Sequence, residues 1–154
     1  LKAEVLLDAI SSATGQPTTF KGYPAGTRSL QLPDSNIASR FLSTFGRPDR
    51  VITCECERSD EPSMVQVLHI VNGDTLNDKL GAKTNRIGGW LTTGRPDYRI
   101  VESIYLASLS RYPTNREMSE TLKIFAKTPA DQRRALIEDV FWSVISTKEF
   151  LFNH

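Results

Sequence analysis

The chain has 154 residues, 39% of them hydrophobic and 24% charged, which suits a single globular domain with its own core. Its 19 basic and 18 acidic side chains leave a net charge of +1, which argues against a surface dedicated to nucleic acid or anionic membrane. No run of about 18 apolar residues occurs, so no segment reads as membrane-spanning.

Leu1 to Ala13 carries Leu6, Ile10 and Ala13 on one stripe, with Val5 and Ala9 beside it, and reads as a helix that Gly15 and Pro17 stop. Residues 16–33 hold Gly22, Pro24, Gly26 and Pro33 and read as a long loop. Within it, Arg28 to Leu32 alternates polar and apolar side chains, so an extended segment is expected there. Asp34 is placed to cap a helix carrying Ile37, Phe41, Leu42 and Phe45, which Gly46-Arg47-Pro48 ends. Residues 46–60 form a second irregular stretch, with a short strand expected near 51–57. Ser59 or Asp60 then caps a helix with Pro62 in its first turn and Met64, Leu68 and Val71 on its buried stripe. Short helices follow at Thr75–Leu80 and Asn85–Thr93, the second weakened by Gly88-Gly89.

Gly94-Arg95-Pro96 repeats Gly46-Arg47-Pro48, and both are read as helix stops. Tyr98 to Arg111 is expected as a strong helix on Ile100, Val101, Ile104 and Tyr105. Thr114 and Glu117 are spaced as a capping box for a helix through Ala126. Thr128 to Asp131 is expected to cap the last helix, on which Leu136, Val140 and Val144 run beside Ile137, Phe141 and Ile145. Phe150 and Phe152 are expected to dock the end of the chain. The fold class is therefore all-α, a domain of about six to seven helices with long irregular loops at 16–33 and 46–60 and at most one short strand. Residues 1–154 read as one domain excised from a larger chain.

Candidate chemistry concentrates in Cys54-Glu55-Cys56-Glu57-Arg58. In an extended segment Cys54, Cys56 and Arg58 share one face and Glu55 and Glu57 the other. The two thiols then stand about 6.6 Å apart at Cα, from a rise of roughly 3.3 Å per residue. Three readings stay open for them: buried reduced thiols, a strained disulfide, or a metal or redox pair completed by His69. His69 lies on the flank of its helix, where a surface or hydrogen-bonded role is the plainer reading. Glu55 and Glu57 suit ion pairs with nearby arginines better than acid–base work. Tyr23 and Arg28, in Gly22-Tyr23-Pro24-Ala25-Gly26-Thr27-Arg28, belong to a rigid loop that either meets a ligand or packs on its own domain. Arginines outnumber lysines twelve to seven, which predicts several Arg–carboxylate bonds. No nucleophile elbow, zinc-protease helix, phosphate loop or dinucleotide fingerprint is present.

The succession Gly22-Tyr23-Pro24, Gly26-Thr27-Arg28, Phe45-Gly46-Arg47-Pro48, Cys54-Glu55-Cys56-Glu57-Arg58, Glu61-Pro62-Ser63, Leu68-His69 and the closing Ser146 to His154 resembles a domain family. It is the C-terminal domain of unknown function in large exported proteins typical of planctomycetes. The resemblance implies export, a preceding cytochrome c-like region and a second uncharacterised domain. It supplies no catalytic residues. The expected role is a non-catalytic module that packs against upstream domains of the same chain or a protein partner, with no cofactor of its own. The alternatives are a redox or metal-binding component using Cys54, Cys56 and His69, and a carbohydrate-related domain for which Trp90 and Trp142 are the available tryptophans.

Overall fold

A computed structural model describes residues 3–32 and 74–152. Among these lie seven α-helices: α1 (Ala3–Thr14), α2 (Asp74–Gly81), α3 (Arg86–Thr92), α4 (Asp97–Leu109), α5 (Asn115–Lys127), α6 (Arg133–Ile145) and the single turn α7 (Lys148–Leu151). Two 3-10 turns, Ser29–Gln31 and Ala130–Gln132, complete the set, and the described residues contain no strand. The fold is all-α. The helix expected after Asp34, the short strand near 51–57 and the His69 helix lie outside the described residues.

α6 is the hub, in contact with α2, α3, α4, α5 and α7, while α1 packs on α4, α2 and the first 3-10 turn. The periodic stripes read from the sequence meet at this centre. Leu6, Ile10 and Ala13 of α1, Ile100, Val101, Ile104 and Tyr105 of α4, and Ile137, Phe141, Val144 and Ile145 of α6 are buried. Leu136 and Val140 flank the α6 stripe and are partly buried. Trp90 is buried and stacks on Phe141 with ring centroids 5.9 Å apart, whereas Trp142 is only partly buried. Phe150 and Leu151 are buried, so the last turn docks as expected. No described helix is long and apolar enough to cross a membrane.

Several boundaries move for local reasons. α4 stops at Leu109, two residues short of the expected Arg111, because Ser110 turns left-handed (φ 55°) and its N–H bonds the Leu106 carbonyl. The capping box at α5 forms as expected: Thr114 Oγ1 accepts from Glu117 N at 3.3 Å and Glu117 Oε2 accepts from Thr114 N at 2.7 Å. Thr128 ends α5 instead of capping α6, and the chain takes the Ala130–Gln132 turn before α6 begins at Arg133.

Between α2 and α3 a single side chain serves both helix ends. Asn85 is buried, its Nδ2 donates to the Lys79 and Leu80 carbonyls at 2.9 and 2.6 Å, and its Oδ1 accepts from Gly88 N at 3.0 Å. Arg134 of α6 adds a donor to the Ala82 carbonyl at 3.0 Å. The orphan groups of a helix end and a helix start are thus satisfied by side chains of the protein itself. Gly88 is required by this arrangement, because a Cβ there would collide with the Lys83 carbonyl oxygen. Gly89, its neighbour, faces open space.

The expected Arg–carboxylate bonds are present at the helix corners. Arg111 reaches Glu117 at 3.0 Å and Glu149 at 2.7 Å while its guanidinium lies 5.3 Å from the Tyr105 ring centroid, which ties the α4–α5 corner to α7. Arg133 pairs with Asp97, and Arg134 with Glu138 at 2.7 Å.

Candidate functional site

Two stripes run along α1. The first, Leu6, Ile10 and Ala13, faces the core. The second, Val5, Asp8, Ala9 and Ser12, follows the i, i+3, i+4, i+7 spacing of one helix face and forms the floor of a groove. Pro17 and Thr18 wall one end, and Gly26, Thr27, Arg28 and Leu30 wall the other. The hollow measures about 470 Å³. That lies within the range of roughly 300–1,000 Å³ in which ligand sites fall.

Both ends of the loop that shapes the groove are pinned. At the exit, Asp8 Oδ1 accepts from the Ser29 N–H at 2.8 Å and its Oδ2 from the Leu30 N–H at 3.3 Å. The Ser29 hydroxyl lies 2.6 Å from the Glu4 carbonyl oxygen and 2.8 Å from Asp8 Oδ1, a donor shared between them. A carboxylate set on the first amides of a short helical turn satisfies donors that the turn itself leaves unpaired. This overturns the extended segment expected at Arg28–Leu32: Asp8 draws the chain into a 3-10 turn, which Leu32 follows into the core.

At the entry, Lys79 Nζ donates to the Gln16 carbonyl at 2.7 Å, Thr84 Oγ1 donates to Gln16 Oε1 at 3.0 Å, and Arg86 Nη2 donates to the Ser12 carbonyl at 3.1 Å. Burial pushes the Lys79 amine down to about 8, and the Asp8 charge acts in the opposite direction. Gly15 sits at φ 69°, and a Cβ there would press on the Arg86 side chain. The groove is therefore shaped before anything enters it.

Arg28 lines this groove and is exposed, and its guanidinium makes no ion pair among the described residues. Tyr23 instead packs against the core. Of the two candidate loop residues, the structure brings Arg28 to the groove and Tyr23 to the interior. Cys54, Glu55, Cys56, Glu57, Arg58 and His69 lie outside the described residues. Among the described residues no group of three or more His, Cys, Asp or Glu side chains is placed to hold a metal ion. Asp8, Ser29 and Lys79 were not singled out from the sequence. The i, i+3, i+4, i+7 spacing of the second α1 stripe was the available signal for Asp8.

Of the groove's hydroxyls, those of Ser11, Thr18 and Thr27 are engaged with one another or with backbone. Ser11 Oγ donates to the Leu7 carbonyl at 2.8 Å and lies 3.1 Å from Thr18 Oγ1, while Thr27 Oγ1 donates to the Pro24 carbonyl at 2.8 Å. The hydroxyl that Asp8 does contact, on Ser29, is 1% exposed and closed to any substrate. Among the described residues of the groove, no hydroxyl is hydrogen-bonded to a base in the geometry of an activated nucleophile.

Fold and groove together define the class: an all-helical domain with a preformed surface groove. The chain belongs to the family described as PSD1, protein of unknown function (DUF1553), whose model matches residues 1–125. No curated protein and no solved structure matches it.

Proposed function

We propose that this domain is a non-catalytic interaction module that seats a polypeptide segment of a neighbouring domain or protein in the α1–loop groove. The observation that carries the reading is the pinned groove itself. Asp8 at one end and Lys79, Thr84 and Arg86 at the other hold its walls, yet Leu30 on its rim remains 59% exposed. Rigid walls reduce the ordering cost of association, and an aliphatic rim gives a partner apolar surface to bury.

The motifs shared with exported planctomycete-type domains support a finer placement. In it, the domain is a C-terminal part of an exported multidomain chain, behind a cytochrome c-like region, and upstream domains of that chain are the first candidates to fill the groove. The domain carries no cofactor of its own in this reading, and stoichiometric metal in the purified protein would count against it.

The test places a photoreactive benzoylphenylalanine at Ser12 in the natural full-length chain. The expected result is a crosslink to polypeptide outside residues 1–154, in yield well above that from the same group at exposed Thr92 of α3. Equal yields at the two positions would overturn the reading.

A further inference from the structure

The charge and dimensions of the groove say what kind of segment it takes. The floor residues Val5 to Ser12 rise along α1 by about 10 Å at 1.5 Å per residue. Three extended residues, at about 3.3 Å each, span the same length. Val5, Ala9 and Leu30 supply an apolar strip, so one side chain of that segment is aliphatic.

Among the described residues two charged side chains line the groove, and they are not equivalent. The Asp8 carboxylate is engaged by the Ser29 and Leu30 amides and the Ser29 hydroxyl, and the Lys79 ammonium acts on it electrostatically. Its acceptor oxygens are therefore taken up by the protein's own donors, although the group keeps its charge. Arg28 makes no ion pair among the described residues, as is true of Arg86, Arg95 and Arg116, but of these it is the one that lines the groove. The charged group left free to bond a visitor is therefore the Arg28 guanidinium. A guanidinium without an ion pair among the described residues, at the wall of a partly apolar groove, favours a carboxylate and disfavours an ammonium.

We infer that the groove recognises an extended acidic segment, an Asp or Glu side chain one or two positions from an aliphatic residue, with the carboxylate on Arg28 and the aliphatic side chain on the Val5, Ala9 and Leu30 strip. This rests on the reading of the domain as an interaction module. It adds a requirement for charge that the module reading by itself does not make.

The test repeats the Ser12 photocrosslink in the full-length chain with Arg28→Lys, Arg28→Gln and Arg28→Glu. Arg28 is exposed and its side chain makes no ion pair among the described residues, so these changes leave the fold standing. The expected result is a yield kept in Arg28→Lys, lowered about threefold or more in Arg28→Gln and lowered further in Arg28→Glu. The crosslinked peptide is expected to carry an Asp or Glu next to an aliphatic residue. Unchanged yields across all three variants overturn the acidic segment and leave the module reading intact. No crosslink in the unsubstituted chain overturns both.

Discussion

Asp8→Ala is the sharpest test of how the groove is held. The substitution leaves the Ser29 N–H without its acceptor in a residue that is 1% exposed. A buried orphaned donor costs about 1–3 kcal/mol. The Ser29 hydroxyl keeps the Glu4 carbonyl at 2.6 Å, and the Leu30 N–H, on an exposed residue, finds water, so neither adds much. Withdrawing the carboxylate also removes a negative charge that supports the Lys79 ammonium. The sum is about 2–3 kcal/mol. At roughly 2–4 °C per kcal/mol for a chain of this size, Tm falls by about 5–10 °C. Asp8→Asn keeps an acceptor for Ser29 and loses only the charge, so it costs about 1 kcal/mol. Thermal and urea denaturation followed by far-ultraviolet circular dichroism measure both. A loss below about 0.5 kcal/mol in Asp8→Ala, or equal losses in the two variants, would refute the view that this carboxylate clamps the turn.

Three further expectations test other parts of the structure. Gly88→Ala collides with the Lys83 carbonyl and is expected to destabilise by more than about 2 kcal/mol, while Gly89→Ala meets open space and stabilises by about 0.5–1 kcal/mol; equal effects in denaturation would show that the close approach is unreal. Arg111 holds the Glu117 carboxyl down to about 2, so its contribution is complete above about pH 4.5 and is lost as pH falls toward 2; Glu117→Gln should flatten the acid limb of Tm against pH, by about 1 kcal/mol after allowance for solvent screening. Lys79 acts in the same direction in a different window: its folded state gives up the proton near pH 8 and the unfolded chain near 10.5, so stability rises across that interval as the buried ammonium is discharged, and Lys79→Met should remove the rise.

Most helix ends and the core stripes could be read from the chain because their causes are local. Thr114 and Glu117 are three residues apart, and the buried faces of α4 and α6 repeat at helical spacing. Even here the neighbours of each helix intervened. Gly88-Gly89 looks like a weakness in a helix, and only the Lys83 carbonyl explains why glycine is needed at the first position. Ser110 gives no sign in sequence that it will turn left-handed and end α4 early.

The groove belongs to the tertiary structure. Its exit depends on Asp8 meeting Ser29 across 21 residues and its entry on Lys79 meeting Gln16 across 63. Such pairings follow from how α1 lies against α2 and against the Ser29–Gln31 turn, and no periodicity in the chain encodes them. By itself the sequence determined an all-helical domain, its caps and its apolar stripes, because propensity and amphipathic spacing act within a few residues. Tertiary structure decided that Arg28 faces a groove, that Tyr23 turns inward and that Asp8 is consumed as a clamp, because hydrogen bonds and burial are settled between distant segments once the helices have packed.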